Sequence, residues 1–204
     1  MNQVISTRKE ILRQLLHMVI GTIGVLNIHF NIINIYITII IYILGFIFFL
    51  AINISSSNRF INRIFKRFER KDSLIGQGPL TLMSAYLILH IIAIIYTDLS
   101  LISTASFLIV TFGDSSSTIF GLLFQRFFLP YNKKKNLIGL MAGIIMGASA
   151  AAIVIEPIIA LLAATIAMFF ESLDIKVLSQ KIDDNLLIPL VAFIVILLYV
   201  NLFI

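Results

Sequence analysis

Asp114 is a carboxylate in the middle of an apolar run, within Gly113-Asp114-Ser115-Ser116-Ser117-Thr118 of the stretch 101–129. An ionised side chain at the centre of a spanning helix costs at least about 2.5 kcal/mol, so it needs a partner, water or a chemical task. Thr118, Gly121 and Gln125 follow it at helical spacing, which draws a polar stripe from Asp114 towards one helix end. Near the start of the chain Glu10, Arg13, His17, Gly21 and Gly24 recur every three or four residues and share a second stripe. Towards the other end, Glu171 closes one apolar run and Asp183-Asp184-Asn185 opens the next. Carboxylates with an asparagine are the hard oxygen ligands that Mg²⁺ takes together with substrate phosphates. Arg13 offers a planar fork of donors to phosphate oxygens. Each group also has a structural reading: Asp184 and Asn185 as helix caps, His17 as a satisfied interior group, and Asp114 as a buried ion-pair member or a cap for the helix that follows.

Two further segments carry phosphate-binding residue types. The loop 69–79 contains Arg70, Lys71, Gly76 and Gly78, where glycines let backbone amides approach an anion; Gly-x-Gly before a proline also reads as a turn. Lys133, Lys134 and Lys135 precede Asn136 and Gly139 at the start of an apolar run, a pattern that serves equally as a topology signal. Neither a Walker A sequence nor a dinucleotide fingerprint is present, so a bound nucleotide would be held by another design.

These residues must be positioned by helices in lipid. Of 204 residues 60% are hydrophobic and only 12% charged, and the mean hydropathy of +1.06 is far above that of a soluble domain. A span needs about 20 apolar residues, and the runs 11–28, 32–54, 79–96, 101–129, 137–155, 158–173 and 186–204 predict about seven transmembrane helices in a single domain, 1–204. Charged residues precede the first run and no small-residue cleavage site follows it, so the first span is expected to be retained. Lysine and arginine cluster before the first run, between the second and third, and after the fourth, while the alternate connections carry none. That bias predicts a cytoplasmic N-terminus and an outside C-terminus. The net charge of +5 therefore reads as membrane topology and not as a nucleic-acid surface. Residues 59–68 alternate apolar and basic residues at helical spacing, the pattern of an interfacial helix on anionic lipid headgroups. A break or a polar cavity is expected at 113–118, and a packing face at Gly139, Gly143, Gly147 and Ala151. The absence of cysteine excludes disulfides and thiolate metal sites, and three scattered histidines make a histidine cage improbable.

Taken in order, the stripe Arg13 to His17, the loop 69–79, Gly113-Asp114-Ser115 with Gly121, Lys135 to Gly139, Glu171, and Asp184-Asn185 with Pro189 resemble the polyprenol kinase family. That family includes dolichol kinases, phytol kinases and CTP-dependent diacylglycerol kinases, and it is distantly akin to CDP-lipid synthases. The resemblance implies an all-α integral membrane enzyme of the cell membrane with its active face cytoplasmic. It would transfer the γ-phosphoryl group of a nucleoside triphosphate, typically CTP, to a long-chain isoprenoid alcohol or to diacylglycerol, with Mg²⁺ as cofactor. On it, Asp114, His17, Arg13 and Glu171 are expected to be catalytic; Asp114, Asp184, Asn185 and Glu171 to hold the metal; and Arg70, Lys71, Gly76, Gly78, Ser115, Gly121, Lys135 and Gly139 to meet the nucleotide and its phosphates. A cytidylyltransferase making a CDP-lipid needs the same groups and is the nearest alternative; a small ion-coupled transporter using Asp114 and Glu171 is the second.

Overall fold

The computed structural model describes residues 2–54, 74–177 and 180–203. Arg70, Lys71 and the expected interfacial helix 59–68 lie outside them. The described chain is helical apart from one hairpin: α1 (Asn2–Phe30), α2 (Ile35–Ile54), α3 (Gln77–Ile95), a 3₁₀ turn (Thr97–Leu99), α4 (Ser100–Leu108), a π-helical turn (Ile109–Asp114), α5 (Ser115–Leu123), α6 (Leu137–Ala151), α7 (Pro157–Ser172), the strands β1 (Lys176–Val177) and β2 (Gln180–Lys181), and α8 (Asp184–Phe203). Five helical stretches are long and apolar enough to cross a membrane: Thr7–Phe30, Ile35–Ile54, Gln77–Ile95, Thr97–Leu123 and Asp184–Phe203. The two remaining apolar helices, α6 and α7, have 15 and 16 residues.

Without water between helices, association depends on close contact of small residues. On α7 the buried face is Ala160, Ala163, Ala164 and Ala167, and α6 turns Gly139, Gly143, Gly147 and Ala151 inward. The expected packing face of α6 is thus present, and its partner is the Thr97–Leu123 stretch. A Cβ on Gly143 would come within 3.0 Å of the Gly113 carbonyl oxygen, and one on Gly139 within 2.6 Å of the Ser117 carbonyl oxygen. Because the obstacle at Gly139 is backbone, Gly139→Ala should force α5 and α6 apart. Overpacking of this kind costs about 1–3 kcal/mol, measurable as a lower unfolding midpoint in detergent, whereas an unchanged midpoint would mean the crossing is looser than described.

Thr97–Leu123 is the most buried of the five long stretches. It does not break at 113–118. The helix instead widens into the π turn Ile109–Asp114, and α5 continues from Ser115. Hydroxyls serve this stretch internally: Thr111 donates to the Phe107 carbonyl at 2.7 Å and Ser106 to that of Ile102 at 2.7 Å. Keeping the backbone paired is what an apolar environment demands, and a π turn re-aims the side chains beyond it. The run that reads as continuous to residue 129 stops being helical at Leu123. Pro130 disfavours a helical residue before it, and Phe127 takes a positive φ of 55°. Residues 124–136 form a compact loop closed by the Phe128–Asn136 bridge and by Leu129 N–H donating to the Lys135 carbonyl at 2.9 Å.

Candidate active site

Three carboxylates converge at one end of the bundle. Asp114 ends the π turn, Glu171 lies in the last turn of α7 and Asp184 opens α8. The antiparallel pairing of β1 with β2 reverses the chain, so the ends of α7 and α8 lie together, and the π turn passes beside both. Each residue is buried, and an oxygen from each lies within 4.8 Å of the others. Asp114 Oδ1 and Glu171 Oε2 have no hydrogen-bond partner among the described residues. A buried acceptor without a donor is costly, and an all-oxygen set with unserved lone pairs fits a hard divalent cation. Asn185 is oriented otherwise: its Nδ2 donates to the Gly78 carbonyl at 3.1 Å, leaving only Oδ1 as a ligand atom.

Cations reach the cluster from two loops. Lys135 is ion-paired with the Glu171 carboxylate, donates to the Glu171 carbonyl at 2.9 Å, and stands 3.8 Å from Asp184. Lys181 on β2 lies 3.2 Å from Asp184 and 2.5 Å from Asp174. Asp174, with a φ of 51°, is also held by Asn132 Nδ2 at 3.0 Å. Burial alone would raise the Asp174 carboxyl, but the hydrogen bond and charge of Lys181 outweigh it and hold the group below the usual carboxylate range. Burial likewise opposes the charge on Lys181, yet Asp184 and Asp174 together push its ammonium above the ordinary value. A depressed carboxyl adds stability above its unfolded pKa and loses it as pH falls through the folded one. The 174–181 hairpin should therefore hold at neutral pH and loosen under acid below the ordinary aspartate range, seen as faster amide exchange confined to these residues. Equal exchange at both pH values would exclude the Asp174–Lys181 pair as its clasp. Asp183, half-buried beside the cluster, has its carboxyl raised by that burial despite a hydrogen bond from Thr81.

α1 brings the remaining groups. A Cβ on Gly21 would lie 2.5 Å from Thr111 Oγ1, so glycine here lets α1 press against the π turn. One turn earlier, His17 Nδ1 reaches Ser115 Oγ at 3.2 Å and approaches Asp114 Oδ2 at 3.7 Å. Arg13, a turn before that, is paired with Glu10 at 2.5 Å, and Gln14 Nε2 reaches the same carboxylate at 3.4 Å. Gly76, with a φ of 81°, precedes α3, and Gly78 in its first turn lies beside Asn185. Gly121 and Gly139 stand at the α5–α6 crossing behind the cluster: Asn136 donates to the Gly121 carbonyl at 2.8 Å and accepts from Gly139 N–H at 2.7 Å, capping α6. The amide of Gly139 is thus engaged by the cap.

Sequence reasoning missed the Asp174–Lys181 clasp, the capping role of Asn136 and the part played by Asn132. The asparagine before an apolar run was a usable cap signal; nothing local indicates the other two.

Arg13, His17, Gly76, Gly78, Asp114, Asp184 and Asn185 all border one cavity of about 520 Å³. Away from these polar groups it continues as a slot between α1, α2 and α3, with walls of Ile20, Ile23, Ile41, Leu82, Met83 and Phe107. From Arg13 to Asn27, which also lines it, α1 rises by about 21 Å. The slot is thus amphipathic along its length: charged at one end, apolar in its walls. Comparison with protein-family models, with curated proteins and with solved structures finds no match for this chain.

Proposed function

We propose that the chain is a lipid-alcohol kinase of the polyprenol kinase type, transferring the γ-phosphoryl group of a nucleoside triphosphate, CTP in the first instance, to a long-chain isoprenoid alcohol. The observation that carries this reading is a slot with Arg13 and two of the three clustered carboxylates, Asp114 and Asp184, at one end and apolar walls beyond. A lipid alcohol fits such a slot tail inward, with its hydroxyl delivered to the polar end. In the proposed arrangement seven helices span the cell membrane, the five long ones and the shorter α6 and α7, with the N-terminus and the active face cytoplasmic and the C-terminus outside. At 15 and 16 residues, α6 and α7 rise about 22–24 Å against a hydrocarbon core of about 30 Å. Their inner ends, bearing Asn136 and Glu171, would then sit below the membrane surface and lower the site towards the lipid hydroxyl.

Phosphoryl transfer depends on positioning and charge neutralisation. Asp114, Glu171 and Asp184 would hold Mg²⁺, with the Oδ1 of Asn185 available to it. A cation held there would supply positive charge to offset that of the phosphates. Arg13 would exchange Glu10 for a phosphate, and Lys135 would turn from Glu171 towards the nucleotide, joined by Arg70 and Lys71. His17, whose Nδ1 meets Ser115 and approaches Asp114, would accept the proton of the alcohol hydroxyl. Purified protein supplied with lipid extract, Mg²⁺ and either CTP or ATP should yield a phosphorylated alcohol together with the nucleoside diphosphate, identified by mass. A CDP-lipid with release of pyrophosphate would instead make the chain a cytidylyltransferase, and substrate flux in vesicles without nucleotide turnover would make it a transporter.

A further inference from the structure

The slot ends on a polar network. Asn27 Nδ2 donates to the Tyr86 hydroxyl at 2.6 Å, and Asn27 Oδ1 accepts from Ile33 N–H at 2.5 Å. The Tyr86 hydroxyl also lies 3.5 Å from Thr38 Oγ1, and His90 Nε2 lies 3.3 Å from Asn31 Oδ1 and 3.4 Å from Asn27 Nδ2. Asn27, Thr38 and His90 are buried. The network ties the end of α1, the turn after it, α2 and α3 together. Just before it α1 packs closely on two lining rings: a Cβ on Gly24 would stand 2.8 Å from the Phe107 ring and 3.3 Å from that of Tyr86, and those two rings pack with centroids 5.8 Å apart. An apolar tail has nothing to offer these amides and hydroxyls, and displacing them would leave buried polar groups unpaired.

We propose that Tyr86, Phe107 and Asn27 form a floor that sets the length of the lipid the slot accepts, and that its occupant is one single-chain isoprenoid alcohol of intermediate length. The inference rests on the lipid-alcohol reading of the polar end. Volume points the same way as the floor. A dry cavity of about 150 Å³ holds benzene, so about 520 Å³, which includes the charged end, has room for no more than roughly twenty carbon atoms. That accommodates an alcohol the size of farnesol or geranylgeraniol; it does not accommodate both chains of a diacylglycerol or a polyprenol of many more isoprene units.

The test is a length profile measured twice, as binding and as phosphorylation. Purified protein in detergent is offered farnesol, geranylgeraniol, a long polyprenol and dioleoylglycerol; retained alcohol is counted by native mass spectrometry, and phosphorylated product is measured with nucleotide and Mg²⁺. The wild type should retain farnesol or geranylgeraniol at least roughly tenfold better than the longer or two-chain lipids, the scale on which a pocket discriminates apolar groups. Tyr86→Ala should move the optimum to longer chains, Ile20→Phe to shorter ones, and Tyr86→Phe, which keeps the ring, should leave it in place. Should Tyr86→Ala fail to fold, Ile20→Phe and the wild-type profile decide. An equal loss for every alcohol, or a wild type that holds the long polyprenol or dioleoylglycerol as well as geranylgeraniol, would overturn the floor. A shifting binding profile with no phosphorylation would leave the floor standing and remove the kinase reading; phosphorylation without length discrimination would do the reverse.

Discussion

Asp114→Asn should reduce lipid phosphorylation at least about a hundredfold and leave the protein as stable as before, or more so. Changes to groups that merely support metal ligands commonly cost 10–100-fold, and Asp114 is proposed as a ligand itself. Asparagine preserves the shape of the side chain and one oxygen, so the packing of the π turn is kept. What disappears is one negative charge from a buried cluster whose carboxylates lie within 4.8 Å of one another. Like charges at this range repel strongly in a low-dielectric setting, so the folded apo protein loses repulsion, at the expense of the 3.7 Å approach of His17. Activity and stability therefore move apart, which a packing defect would not produce. A second readout follows from linkage. A ligand that binds the folded state alone raises the unfolding midpoint with its concentration, so Mg²⁺ should stabilise the wild type and do so less for the variant. Turnover near the wild-type rate would take Asp114 out of the mechanism, and an identical Mg²⁺ response would take it out of the metal site.

The contrast between Asp114 and the slot shows what a one-dimensional reading can reach. Asp114 was conspicuous because a charge in an apolar run is expensive wherever the run folds, and the glycine face of α6 was conspicuous because its spacing of four matches the helix period. Both properties are local. The polar groups of the slot floor are single residues, Asn27, Thr38 and Tyr86, on three different helices. No spacing relates them, and only the tertiary arrangement shows that they share hydrogen bonds. Of the break or polar cavity expected at 113–118, the break is absent, since the helix widens into a π turn ending at Asp114, and Asp114 borders the slot; composition alone does not distinguish the two. Hydropathy carries the fourth run past Leu123 to residue 129, whereas the loop 124–136 is held by backbone and asparagine hydrogen bonds that hydropathy does not see. That loop is what delivers Lys135 to Glu171, so the identity of the lysine's partner was as hidden as the loop.

Lys135 offers the sharpest energetic test, because its contribution to folding and its proposed role towards phosphate have opposite requirements. Its ammonium is paired with a Glu171 side chain that is only 3% exposed. Replacing it by methionine, of similar length and apolar, leaves that carboxylate buried without its cation, a defect that costs about 3–5 kcal/mol. Lys135→Met in Mg²⁺-free buffer should therefore show a markedly lower unfolding midpoint than the wild type. Adding Glu171→Gln removes the stranded charge, so the double variant should recover most of the loss; the difference between its change and the sum of the single changes measures the pair. Phosphorylation should remain lost in the double variant, since both the cation and a proposed metal ligand are gone. Mg²⁺ should act most strongly on the single variant: with the ammonium removed, the ion meets the same carboxylates without a competing charge, and its stabilisation should exceed that of the wild type. A single variant as stable as the wild type without Mg²⁺ would show that Lys135 does not hold Glu171 in the folded protein. One that is destabilised but indifferent to Mg²⁺ would show that the carboxylates are a structural ion-pair cluster, and the metal assignment would fall with it.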